Sequence, residues 1–99
     1  MYRIRKFVVN LKKVDIFEDT ITLCLPDGAT DIVKVMLSGD DIVFFGEIKD
    51  SGDYTNDLCR RIYILATDDE IPDFHSTKYI DTLIIYGKEV HIYESYKPL

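Results

Sequence analysis

Residues 20–26 read TITLCLP, and their alternation is strict: Ile21, Leu23 and Leu25 take one side, Thr20, Thr22 and Cys24 the other. A period of two puts successive side chains on opposite faces of an extended chain, so this stretch reads as a half-buried strand. YRIRKFVVNL at 2–11, DIVKVML at 31–37, IVFFGEI at 42–48, RRIYILA at 60–66, YIDTLIIY at 79–86 and EVHIYES at 89–95 are also strand-like, and no segment sustains a helical repeat. Pro26 with the PDG turn closes one strand, SGDD joins two others as a hairpin, and Gly87-Lys88 makes a tight terminal turn. The pattern predicts an all-β fold: a single domain over residues 1–99, built as an antiparallel sandwich or partly open barrel of about six to seven strands.

Two finer expectations follow. The apolar phase of YRIRKFVVNL shifts near Arg5-Lys6, which predicts a bulge there. In IVFFGEI, Val43 and Phe45 face one way and Ile42 and Phe44 the other, so that strand should be covered on both sides. A core cut from 99 residues is small, and seven tyrosines suit interfaces, so a homo-oligomer is expected.

The charge is unevenly spread. The first thirteen residues carry +5, from Arg3, Arg5, Lys6, Lys12 and Lys13, which leaves −11 on the remainder of a chain with net charge −6. So acidic a body argues against general nucleic-acid binding, which needs a basic surface against phosphate. The basic start fits an edge strand protected by charge. No apolar run approaches the roughly 20 residues of a membrane-crossing helix. With no signal-like segment before the first strand, a cytoplasmic protein is expected, and Cys24 and Cys59 read as small packing residues in a reducing compartment.

ATDDEIPDFHST, residues 66–77, gathers Asp68, Asp69, Glu70 and Asp73 with His75. A calcium loop needs oxygens at alternating positions and a glycine at its sharp turn. Here three acids are contiguous, no glycine is present and Ile71-Pro72 interrupts. Zinc would need more than one nearby His or Cys. The segment therefore reads as a solvated connection in which Asp73 or Ser76 supplies a turn bond. There is no nucleophile elbow and no phosphate-cradling glycine loop, and His91 stands in mid-strand, so neither an enzyme nor a cofactor or metal site is expected.

The order and spacing of YRIRKF, ITLCLPDGATDIVKVML, DIVFFGEI, RRIYILATDDEIP, YIDT and EVHIYE resemble a family of small proteins found mainly in bacteriophages and prophages, known only as a domain of unknown function. In this resemblance Pro26, Gly28 and Ala29 correspond to the family's turn and Thr67 to its strand-end threonine. Tyr79, Ile80 and Thr82 open its last hairpin, and His91, Tyr93 and Glu94 close it. Asp68 stands where the family usually has glycine, and the family's tryptophans are missing. The resemblance implies a binding protein of a phage, acting in the host cytoplasm. One form is an anti-defence sponge that sequesters a nucleotide-derived immune signal in a homo-oligomer. Arg60, Arg61, Tyr63, His91 and Tyr93 are then the candidate contacts, guanidinium for phosphate and aromatic faces for a base. An alternative is an acidic inhibitor covering the basic surface of a host defence protein such as a nuclease, and a third is an accessory phage protein with no defence role.

Overall fold

The computed structural model describes residues 2–13, 20–26, 29–49 and 57–96. It is all-β, with strands β1 (Tyr2–Asn10), β2 (Thr20–Pro26), β3 (Ala29–Ser38), β4 (Asp41–Lys49), β5 (Asp57–Ala66), β6 (Thr77–Ile85) and β7 (Lys88–Ser95). They form two antiparallel sheets, one of three strands in the order β1-β4-β3 and one of four in the order β2-β5-β7-β6. Among the described residues no helix is long and apolar enough to cross a membrane.

The inward sides of both sheets are mainly apolar. Ile32, Val35, Ile42 and Phe44 from the three-stranded sheet meet Ile62, Ile64, Ile85 and Ile92 from the four-stranded one in a common core. Phe7 packs against that core, and Gly46 makes room for it: a Cβ there would lie 3.1 Å from the Phe7 ring. The terminal hairpin turns at Tyr86-Gly87, both at positive φ (51° and 77°), the pair of left-handed residues that a two-residue hairpin favours.

Three expectations change. β1 pairs with β4 residue by residue from Tyr2↔Lys49 to Asn10↔Asp41, so there is no bulge at Arg5-Lys6. The irregularities fall instead in β3, between Ala29 and Lys34, and in β6, between Tyr79 and Asp81. The outer side of β4 is only partly covered, with Val43 at 7% exposure and Phe45 half-buried beside exposed neighbours. Cys59 is disulfide-bonded, and its register partner across β2 and β5 is Cys24, the other cysteine of the chain. The reading of Cys59 as a free packing thiol is therefore corrected: it is held in a disulfide. The basic N-terminal strand does lie at a sheet edge, as its charge suggested.

Candidate functional site

Side-chain parity and register sort the five residues named from the sequence. Arg61 and Tyr63 on β5 and His91 and Tyr93 on β7 occupy the outer side of the four-stranded sheet, where Tyr63 pairs with Tyr93 and Leu65 with His91. Tyr79 and Thr82 of β6 join that side opposite Tyr93 and His91. Arg61 is exposed and Tyr93 half-buried, whereas Tyr63 is only 7% exposed. Tyr79 and Tyr93 meet edge to face, with ring centroids 5.5 Å apart and planes at 65°.

Arg60 faces the other way. It ion-pairs with Glu94 on the inward side, where the two side chains are 17% and 3% exposed. Glu94 Oε2 is buried with no hydrogen-bond partner. Burial raises the Glu94 pKa above the ordinary carboxylate range, and the Arg60 guanidinium opposes that rise without cancelling it. Lys78 and Asp31, 3.7 Å apart, add a second ion pair that ties β6 to β3 across the two sheets.

On the outer side His91 is the centre of a continuous hydrogen-bond chain. Its Nδ1 lies 2.9 Å from Thr82 Oγ1, and Thr82 Oγ1 lies 2.6 Å from the Tyr79 hydroxyl. Its Nε2 lies 2.9 Å from Thr67 Oγ1, and Thr67 donates to Glu89 Oε1 at 3.0 Å. Because the Thr67 hydroxyl gives its proton to Glu89, it must accept from His91 Nε2–H. A neutral imidazole then accepts at Nδ1 from Thr82, whose oxygen in turn accepts from Tyr79. With the proton on Nε2 all four bonds are satisfied, from the Tyr79 phenol to the Glu89 carboxylate. Sequence reasoning singled out His91 but missed Thr67, Thr82 and Glu89 as its partners; the family-type motif residues Thr67, Tyr79 and Thr82 were the available signal.

The acidic connection lies beside this chain. Ala66 N–H donates to Asp69 Oδ2 at 2.9 Å and Asp69 N–H to the Ala66 carbonyl at 3.1 Å, closing a turn. Asp69 thus supplies one turn bond of this connection. Asp73 takes a left-handed φ of 48° before the one-turn 3-10 helix Phe74–Ser76 and makes no side-chain cap to it. Asp68 also sits at positive φ, 76°, a conformation that costs glycine least and that Asp tolerates better than most residues. Among the described residues no group of three or more His, Cys, Asp or Glu is placed to hold a metal ion.

Between this turn and the sheet lies a shallow depression of about 220 Å³, bounded by Leu65, Thr67, Asp68, Ile71, His91 and Tyr93. Its floor is apolar and its rim carries carboxylates and the wired imidazole. Such a surface can seat a flat ring against Tyr93 and accept hydrogen bonds from hydroxyl or amino groups at Asp68.

Neither the curated proteins nor the solved structures include a match to this chain. A family model described as Domain of unknown function (DUF7352) matches residues 1–98. With a match along nearly its whole length, the chain belongs to the DUF7352 family.

Proposed function

We propose that this protein acts by binding without turnover, holding a nucleotide-type ligand on the outer side of the four-stranded sheet. The observation that carries this reading is the engagement of His91: both ring nitrogens are committed to threonine hydroxyls. An imidazole so tethered stiffens a surface and fixes the turn at Thr67 against the sheet. It is poorly placed to act as a general base, which needs a free nitrogen aimed at substrate. In the binding reading a base stacks beside Tyr93 and exposed Tyr79, ribose hydroxyls donate to Asp68, and the phosphates lie toward Arg61, away from the carboxylates. Arg60, turned inward, is left out of this contact set.

The phage setting suggested by the resemblance makes a defence signal the natural ligand of this class, with sequestration as the outcome. The disulfide at Cys59 weighs against a reducing cytoplasm as the site of action, since such bonds persist chiefly in oxidising compartments. A second reading rests on the exposure of Asp68, Asp69, Glu70 and Asp73, which would suit the basic surface of a partner protein.

Calorimetry against cyclic nucleotides and ADP-ribose-type molecules tests the proposal. The expected result is saturable binding, recovery of the ligand unchanged after heat denaturation, and a loss of about one to two decades of affinity in Arg61→Ala or Tyr93→Ala, equivalent to about 1.5–3 kcal/mol. Recovery of an altered ligand would make the protein an enzyme. No binding, with capture of a basic host protein, would favour the inhibitor.

A further inference from the structure

We propose that the outer face of the three-stranded sheet is a self-association surface that takes a second copy of this chain. Four large apolar side chains stand exposed on it: Ile4 at 63%, Val8 at 58%, Val33 at 44% and Met36 at 41%. With half-buried Phe45 and Lys34, three of them bound an open apolar depression of about 310 Å³. The irregularity in β3 contributes, because the extra residue near Val33 lets Val33 and Lys34 both reach this side. An unpartnered apolar sheet face of this kind marks an interaction site more often than a solvated surface.

The pattern of charge selects the occupant. Register lays the face out in three rows across the strands. Val8, Val43 and Met36 form an apolar row, Lys6, Phe45 and Lys34 a basic row around an aromatic, and Ile4 and Glu47 a third row that Val33 adjoins. Lys6 Nζ lies 5.8 Å from the centre of the Phe45 ring. These three rows carry two lysines and one glutamate, with Asp41 one row beyond, whereas the whole chain carries −6. Contact between two copies through this face does not press the acidic remainder of each against the other.

The rows are also self-complementary. A two-fold axis running across the strands between the second and third rows stacks Phe45 of one copy on Glu47 of the second copy. That carboxylate then lies between Lys6 and Lys34, and Ile4 and Val33 cover the lysine stems. Face-to-face sheets about 10 Å apart leave room for such side chains to interdigitate. An isologous contact of this kind makes every favourable pair twice. Three strands about 4.8 Å apart, each about 30 Å long, offer a patch smaller than a standard stable interface and in the range of weak, transient contacts, so a dimer dissociating in the micromolar range is expected.

Sedimentation equilibrium of the whole chain across a concentration series tests this. The expected result is a monomer–dimer equilibrium that Phe45→Glu abolishes. Glu47→Lys alone should weaken it by at least tenfold, as should Lys6→Glu with Lys34→Glu, and an equimolar mixture of those two variants should recover a dimer. Circular dichroism of each variant separates lost association from lost folding. A monomeric mass into the high micromolar range would overturn the proposal, as would a dimer indifferent to all these substitutions. A mixture of charge-swapped variants that stays monomeric would overturn the charge-matched arrangement.

Discussion

Outward from β4 stand Val43, Phe45 and Glu47, flanked by exposed Ile4, Val8 and Met36; outward from β7 stand His91, hydrogen-bonded to Thr82 and Thr67, and Tyr93, which meets Tyr79 edge to face. Facing inward, both sheets give apolar side chains to one core, and the four-stranded sheet also turns the Arg60–Glu94 ion pair inward. The difference lies in what satisfies each outer face. The four-stranded sheet meets its own turn at residues 67–71 and closes its polar groups onto one another, leaving Ile84 and Tyr79 exposed on β6, while the three-stranded sheet leaves Ile4, Val8, Val33 and Met36 exposed together. A β-sandwich can thus hold one core and still divide its surfaces, one side tied together by polar contacts and one left with exposed apolar side chains.

Adjacent residues on β4 give the largest test of that division. Phe44 is fully buried, so Phe44→Ala should cost about 3–5 kcal/mol in chemical denaturation. Phe45→Ala, on the other side of the same strand, should cost about 1 kcal/mol or less and act chiefly on association. Equal losses at the two positions would mean that both faces of β4 are core.

Arg60→Ala should destabilise by about 3 kcal/mol at neutral pH, because it leaves the Glu94 carboxylate buried without its partner. The sign with pH follows from the raised pKa of Glu94. The folded state holds that proton more tightly than the unfolded chain, so the group favours folding in acid. This contribution is lost as pH rises from the ordinary carboxylate range through the raised value. The deficit of Arg60→Ala should therefore shrink on acidification, and in Glu94→Gln this dependence should vanish. A deficit that grows in acid would contradict the assignment.

Reduction should lower stability by about 2–4 kcal/mol if the bond at Cys59 staples β2 to β5. Titration of free thiols in the denatured, unreduced chain should find none. The smallest effect belongs to the acidic turn, where Asp68→Gly should stabilise by about 0.5–1 kcal/mol by relieving the positive φ.

The strands were legible because alternation is local, and the fold class follows from it. The bulge expected at Arg5-Lys6 came from the same signal misread. β1 carries apolar residues on both sides, Phe7 and Val9 inward and Ile4 and Val8 outward, so two patterns overlap and mimic a shift of phase. That doubling belongs to the exposed face. The disulfide was not legible, because nothing near Cys24 or Cys59 shows that β2 and β5 lie side by side in that register. Arg61, Tyr63, His91 and Tyr93 could be grouped by parity within each strand. Arg60, one residue away, belongs to the opposite face for the same reason, and its pairing with Glu94 required knowing which strands adjoin. The hydrogen-bond chain through His91 draws on β6, β7 and the turn at Thr67, and so appears only once these are brought together.

The division between the two outer faces is tested most directly by backbone amide chemical shifts of nitrogen-labelled protein titrated with a bound member of the nucleotide panel, at a concentration where the chain is monomeric. The largest shifts should cluster at Arg61, Thr67, Asp68, Ile71, His91 and Tyr93, with Ile4, Met36 and Phe45 unmoved. Shifts centred on Ile4, Met36 and Phe45, or an unperturbed His91–Thr67 region under saturating ligand, would contradict it.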